Sequence, residues 1–292
     1  MPLVMFKKDD VCRLGAVREG KVVDLYAANS RIPSDMLSFL EAGEAAMEAA
    51  RTVLDDPPGS CIYPLSEVTF RAPVPNPRKV FGIGLNYTDH AVESGRPIPP
   101  EPVLFNKLPT AIIGPNEPIL LPEESDEVDY EVELVCIIGK RGRRISKEDA
   151  YHYIAGYTVG NDVSARDWQL RKPGGQWLLG KTFDTFGPIG PVLALKDEVP
   201  DPHNLKIMAT ISGELLQDSN TNEMIFKMND LVAYISQVVT LEPGDLIFTG
   251  TPPGVGNARK PRRFLREGDV CELEIQYIGK LVNPVRADKD RE

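Results

Sequence analysis

VDYEVELVCIIGK, residues 128 to 140, is the stretch whose alternation decides the fold. Read as an extended strand, it sends successive side chains to opposite faces, so Tyr130, Val132, Leu134 and Cys136 share one face while Glu131 and Glu133 share the other. Two acids side by side on a strand that runs on into apolar VCIIG repel each other, and desolvation adds to the repulsion. Either that face is a solvated edge, or something positive sits on it. A second strand-like run, YIAGYTVGND, ends in Asp162 and opens the loop NDVSARDWQ, where an acid at a strand end can point across at a neighbour. Three carboxylates then converge. Oxygen-only ligands select Mg²⁺, Mn²⁺ or Ca²⁺ over zinc, with Mg²⁺ the first expectation, and three protein oxygens leave about three positions of an octahedron for water and substrate. An ion held that openly is equipped for catalysis.

Around this core the runs KVFGIG, AIIG, IGPVLAL, LKIMATIS, GDLIFTG and VCELEIQYIG also read as short strands. From residue 79 onward only two helices are predicted, over 147 to 154 and 228 to 240. A doubly wound sheet would alternate strands with helices of ten or more residues, so the fold class is mainly β with some α, largely antiparallel. Upstream, CRLGAV and KVVDLYAA are joined at Glu19-Gly20 and predict a hairpin. From Ser34, an N-cap candidate, SDMLSFLEAGEAAMEAARTVL predicts one helix that packs with Met36, Leu37, Leu40, Ala46 and Met47. Prolines at 73, 75 and 77 place a boundary there, dividing a small α+β domain (1–75) from a catalytic domain (76–292).

A chain of 292 residues can bury a sizeable core, and 42% apolar with 26% charged residues is ordinary globular composition. The formal net charge of −10 repels polyanions, which argues against nucleic acid as a partner. The start, MPLVMFKKDDVCRLG, lacks the apolar core of a secretory signal, and no run reaches bilayer-spanning length. The expectation is a cytoplasmic protein with no membrane partner. Cys12, Cys61, Cys136 and Cys271 form no CxxC pair and read as reduced, small core residues.

Other motifs are weaker one by one. GQWLLGKT, residues 175 to 182, matches the phosphate-loop pattern literally, yet FDTFGPIGP follows it where a helix would have to start, so a nucleotide site is rejected. Lys181, wedged between Gly180 and the Phe183/Phe186 pair, is instead a candidate to stabilise an oxyanion or enolate, against the plainer reading of a surface lysine. His90 and Glu93 fall in the polar segment NYTDHAVESG. One helical turn would put both on one face, where a carboxylate raises the basicity of the imidazole. His152 and His203 read as solvent-facing. The loop TGTPPGVG offers Thr251 as a hydrogen-bond donor to a carboxylate.

Taken in order, GIGLNYTDHAVE, FNKLPTAIIGP, DYEVELVCIIGK, AGYTVGNDVSARDWQ, GKTFDTFGPIGP and LEPGDLIFTGTPPGVG closely resemble the fumarylacetoacetate hydrolase superfamily, over about residues 75 to 285. The longer members with an extra N-terminal domain are the better match. The resemblance implies a mixed β-sandwich roll, a homodimer, and Mg²⁺ or Mn²⁺ on Glu131, Glu133 and Asp162. It also implies that His90 and Glu93 form a water-activating dyad on a mobile lid, that Lys181 holds the substrate oxyanion, and that Arg166, Gln169 and Thr251 lie near the substrate carboxylate. One departure concerns Asp89. The name-giving hydrolases use a fourth carboxylate ligand and place their histidine several residues after a YTD-like segment, whereas His90 directly follows Asp89.

The function expected is a metal-dependent enzyme of 2-oxo or 2,4-dioxo acids, with acylpyruvate or oxaloacetate as substrate and a metal-chelated enolate as the common species. Hydrolysis, decarboxylation and tautomerisation all remain open. So do an isomerase of aromatic catabolism of the 2-hydroxyhepta-2,4-diene-1,7-dioate type and, from another class, a non-catalytic binding protein that keeps the fold. A eukaryotic source would move the expected location to the mitochondrial matrix.

Overall fold

The strand Val132–Ile138 is buried along its whole length. Val132, Leu134, Cys136 and Ile138 join one core cluster, while Val135 and Ile137 enter a second on the opposite face. A solvated edge is thereby excluded for Glu131 and Glu133, because the face they share with Val135 and Ile137 is an interior one. The computed structural model describes residues 1–289.

Val132–Ile138 pairs antiparallel with Ile154–Asn161 on one side and with Leu246–Phe248 on the other. Gly187–Leu195 lies beyond Ile154–Asn161, and Val80–Gly84 followed by Val103–Lys107 lies beyond Leu246–Phe248. The N-terminal strands attach through Leu3 opposite Leu193, completing a 12-stranded sheet. A separate 5-stranded sheet is built from Glu214–Asn220, Lys206–Ile211, Val270–Ile275, Gly279–Ala287 and Ile119–Leu121. Its Ile207, Ala209, Leu273 and Ile275 pack with Leu134, Cys136 and Val159 in the first core. The second core places Met36, Phe39, Leu40 and Ala50 against Val135, Ile137, Leu246 and Phe248. The order of layers is therefore helices, large sheet, small sheet, the mixed β-sandwich that the resemblance implied.

The predicted hairpin forms, and its turn residues Glu19 (φ 50°) and Gly20 (φ 71°) both take the left-handed conformation of a tight hairpin turn. Its second strand stops at Asp24, whose side chain accepts from Ala27 N–H and starts a short helix, so KVVDLYAA is not a single strand. The single helix expected from Ser34 is two, Met36–Ala42 and Glu44–Asp55. Asp35 rather than Ser34 supplies the cap, and Gly43 (φ 63°) breaks the run. Of the predicted packing residues, Met36, Leu40 and Ala46 are fully buried, with Leu37 and Met47 at the margin. The helix expected over 147 to 154 shrinks to one turn, Ala150–Tyr153, while Met228–Val238 forms as predicted. Cys61, Cys136 and Cys271 are buried, but Cys12 is exposed on an N-terminal strand.

Candidate metal and substrate site

Two strand ends build the site. Register between Val132–Ile138 and Ile154–Asn161 ends at the Val132–Asn161 pair, so the residues just outside it, Glu131 and Asp162, lie side by side. Asp162 N–H donates to the Glu131 carbonyl at 2.9 Å, and Glu131 N–H donates to Asn161 Oδ1 at 3.0 Å. Glu133, two residues along the strand, projects to the same face. Carboxylate oxygens of Glu131, Glu133 and Asp162 all lie within 4.8 Å of one another, and all three side chains are buried.

The charges around them do not cancel. Lys181 Nζ bridges Glu131 Oε2 (2.7 Å) and Asp162 Oδ2 (2.6 Å). Arg166 reaches Glu131 Oε1 at 2.6 Å and Asp129 Oδ2 at 2.8 Å. Lys107 donates to Asp162 Oδ1 at 2.6 Å. Four carboxylates (Asp129, Glu131, Glu133 and Asp162) thus face three cations, which leaves one negative charge unmatched. It falls on Glu133, whose only hydrogen bond among the described residues comes from Gly250 N–H at 2.7 Å. Burial first, then the charges of Asp162 and Glu131, push the Glu133 carboxyl well above the usual range. Burial acts on Glu131 too, but there the Arg166 and Lys181 cations outweigh it and hold its carboxyl well below that range. Burial likewise opposes the charge of Lys181, and Asp162 and Glu131 outweigh it, so its ammonium is held charged. At Lys107 burial prevails over the Asp162 contact and lowers the pKa. An unmatched buried carboxylate beside two others, with oxygen donors only, is a donor set that fits a hard divalent cation.

The carboxylates open into a cavity of about 310 Å³. The helix Thr88–Ser94 covers part of it and carries His90 and Glu93, whose Nδ1 and Oε2 are 3.0 Å apart. A carboxylate can only accept, so Nδ1 carries the proton and Nε2 is left as the basic nitrogen. Glu93 Oε1 also accepts from Gly254 N–H at 2.9 Å, fastening the helix to the TGTPPGVG loop. At the base of the helix Asp89 accepts from Ser219 at 2.7 Å and is not one of the three residues of the carboxylate cluster.

Arg166, Gln169 and Thr251 line the same cavity. Gln169 Oε1 accepts from Arg166 at 2.9 Å, which leaves its amide N–H₂ with no partner among the described residues. The Thr251 hydroxyl gives its hydrogen to the Val132 carbonyl at 2.9 Å and accepts from Gln217 at 2.8 Å, so the hydroxyl proton predicted for a ligand is already committed. Lys181 is 2% exposed and lies 4.9 Å from the Phe105 ring, which removes the surface-lysine reading. The one-turn segment Leu178–Lys181 ends at this lysine and no phosphate-type helix follows. His152 is exposed as expected, but His203 is half-buried, with Nε2 accepting from Met228 N–H at 3.0 Å and Nδ1 3.3 Å from the Tyr151 hydroxyl.

Two residues of the site escaped the sequence reading. Lys107 ends the strand VLFNK in phase with inward-facing Val103 and Phe105, and a lysine on the apolar phase of a strand is a sign of a buried counter-charge. Asp129 continues the 131, 133 alternation by one step. It accepts from Gly256 and Asn257 N–H groups at 2.7 and 3.0 Å as well as from Arg166, so it positions that guanidinium rather than joining the cluster.

Residues 79–286 match the family described as fumarylacetoacetate (FAA) hydrolase C-terminal, and the chain belongs to that family. Among its relatives is oxaloacetate tautomerase fahd2, mitochondrial, of Xenopus laevis, 50% identical over 98% of this chain and 90% of the relative. The fumarylacetoacetate hydrolase of psychrophilic Exiguobacterium antarcticum superposes with a TM-score of 0.86 at 34% identity, covering 99% of this chain and 100% of the other. A maleylpyruvate hydrolase from Sphingobium sp., solved in complex with manganese(II) ion and pyruvate, gives 0.82 at 29% identity over the same shares.

Proposed function

We propose that this chain is a divalent-metal-dependent enzyme of 2-oxo and 2,4-dioxo acids, and that keto–enol interconversion of oxaloacetate is its reaction. The observation that carries the reading is the unmatched Glu133 carboxylate beside Glu131 and Asp162, in a cavity that also holds the His90–Glu93 pair. Mg²⁺ is the preferred ion. Glu131, Glu133 and Asp162 would hold it, and when bound it supplies the positive charge that draws electrons from a 2-oxo group and favours the enolate.

The remaining steps belong to side chains. Lys181, kept charged by Asp162 and Glu131, adds a second positive charge where the enolate oxygen develops. The Gln169 amide and the Arg166 guanidinium, itself fixed by Asp129, orient the substrate's carboxylate. Thr251 contributes by keeping the Gln217 and Val132 groups in place. His90 Nε2 accepts a proton at one end of the enol system and returns it at the other, so the reaction consumes no co-reactant, and Glu93 stabilises the imidazolium in between. Phe105 and Trp177, in ring contact at 5.6 Å, give the cavity an apolar wall that excludes water.

The name of the Xenopus relative supports tautomerisation, and those of the structural neighbours support hydrolysis of a C–C bond as a second reading. The His90–Glu93 pair favours that second reading, because the same Nε2 could activate water. A homodimer belongs to the proposal, with the edge strand Val103–Lys107, its exposed Leu104 and the exposed Leu108 just after it as a candidate contact. So does a location in the cytoplasm, or in the mitochondrial matrix for a eukaryotic source. No helix among the described residues is long and apolar enough to cross a membrane.

The test follows enol-oxaloacetate loss by ultraviolet absorbance with and without Mg²⁺, alongside acetylpyruvate hydrolysis. Glu131→Ala should abolish both activities, and His90→Ala should lower tautomerisation by about 10²- to 10⁴-fold. Unchanged rates in both variants would refute the mechanism. Loss in Glu131→Ala alone would redirect it to metal-assisted decarboxylation.

A further inference from the structure

Of the cationic side chains lining the cavity, Arg166 and Lys181 are each already paired with buried carboxylates, Asp129 and Glu131 for the first and Glu131 and Asp162 for the second, and His90 Nδ1 is paired with Glu93. Arg96 is different. It lines the same cavity from an exposed position on the segment at its rim, and among the described residues its guanidinium has neither a hydrogen bond nor an ion pair. Its root is nevertheless fixed. Gly95 closes the helix Thr88–Ser94 in the left-handed conformation (φ 63°), and Arg96 N–H donates to the Ala91 carbonyl at 3.1 Å. An anchored backbone with a free, always-charged fork at the tip suits recognition of a planar anion.

We infer that Arg96 binds a second carboxylate at the far end of the substrate, so that the site selects 2-oxo dicarboxylates over acids with an apolar tail. This rests on the proposed function, since the first carboxylate and the 2-oxo group are assigned there to the metal end. The rest of the wall makes the choice. Phe105, Leu170, Trp177 and Val255 are apolar and would accept a hydrocarbon tail, but such a tail would leave Arg96 facing it with nothing to pair. A dianion also has to enter a protein of net charge −10 and approach buried carboxylates. The neighbouring cleft, which shares Glu93 with this cavity, carries Arg259, Lys260, Arg262, Arg263 and Arg266; Arg262 is paired with Glu127 and Arg263 with Asp269, and Glu214 also lines it, so a small positive excess remains beside the cavity. Because Arg96 follows His90 and Glu93 on one covering segment, its engagement by the substrate holds that pair over the reacting carbons.

The test uses the Mg²⁺-loaded full chain, with Arg96→Gln and Arg96→Lys assayed on oxaloacetate and on acetylpyruvate. Loss of one charge-assisted bidentate contact should lower the ratio of their kcat/KM values by about 10- to 100-fold in Arg96→Gln, with part of it restored in Arg96→Lys. A ratio that stays within about 2-fold of wild type, or an equal fall on both substrates, overturns the inference. Should wild type turn over neither acid, the functional reading fails on its own, and the subsite is decided by calorimetric titration of oxaloacetate against pyruvate. A loss of affinity in Arg96→Gln confined to oxaloacetate supports it, and parallel affinities overturn it.

Discussion

Replacing Glu133 by Gln should make the metal-free protein more stable and the metal-loaded protein less so. Without metal, Glu133 has carboxylate oxygens of Glu131 and Asp162 within 4.8 Å and no cation of its own, and at an effective dielectric of about 20 one such repulsion is worth about 3.5 kcal/mol. Proton uptake limits that cost, because burial and then the two neighbouring charges raise the Glu133 pKa. The amide therefore relieves part of that repulsion, less than about 3.5 kcal/mol. At about 2–4 °C per kcal/mol the chelator-treated variant should melt above wild type by less than about 14 °C. Mg²⁺ at a hundred times its Kd adds about 2.7 kcal/mol, or about 5–11 °C, to the wild-type protein. The variant, lacking one of three ligands, should gain less than half of that, so the two melting temperatures cross as Mg²⁺ is titrated. Differential scanning calorimetry in chelator and across a Mg²⁺ series reads both effects. A variant that melts below wild type in chelator, or that gains the same shift with Mg²⁺, would refute the charge accounting.

Three further outcomes follow from the same contacts. Lys181→Met should lower kcat by about 10²- to 10³-fold with KM changed much less, because the lost charge acts on the developing enolate. Comparable loss in KM alone would move Lys181 to substrate binding. Gly250→Ala places a Cβ 2.7 Å from the Asn86 Cβ at a φ of +99°, so it should cost about 1–3 kcal/mol and lower Tm by about 2–12 °C in scanning calorimetry, and an unchanged Tm would show that the loop yields freely. His203 has a pKa lowered from 6.5, by burial first and then by Lys227, and its Nε2 accepts the Met228 N–H. The unfolded chain therefore takes up the proton first as pH falls. Urea-unfolding stability of wild type should drop from about pH 7 downward until the folded-state pKa is passed, and His203→Gln should flatten that slope. Parallel slopes would remove His203 as the cause.

The alternation in VDYEVELVCIIGK reported the two faces of the central strand correctly, because a strand's period of two survives whatever packs on it. The depth of its burial was not legible, since burial on both faces depends on layers supplied by residues 36–55 and 206–275. Breaks are not legible where a single residue overrides a pattern, as Gly43 does between two segments rich in helix formers. Glu131, Glu133 and Asp162 could be paired from sequence because each marks the end or face of a recognisable strand. Lys107 and Asp129 could not, for their partners Asp162 and Arg166 are 55 and 37 residues away and only sheet register brings them together. The committed Thr251 hydroxyl and the free Arg96 fork are likewise facts about hydrogen bonds, which composition and spacing do not carry.

The central claim, that Glu131, Glu133 and Asp162 share one divalent ion, is tested most directly by anomalous diffraction from crystals equilibrated with Mn²⁺. The account predicts a single strong peak at metal–oxygen distance from one carboxylate oxygen of each residue, weakened or lost in crystals of Glu133→Gln. A fully occupied peak elsewhere on the chain, or none at these three oxygens at saturating Mn²⁺, would contradict it.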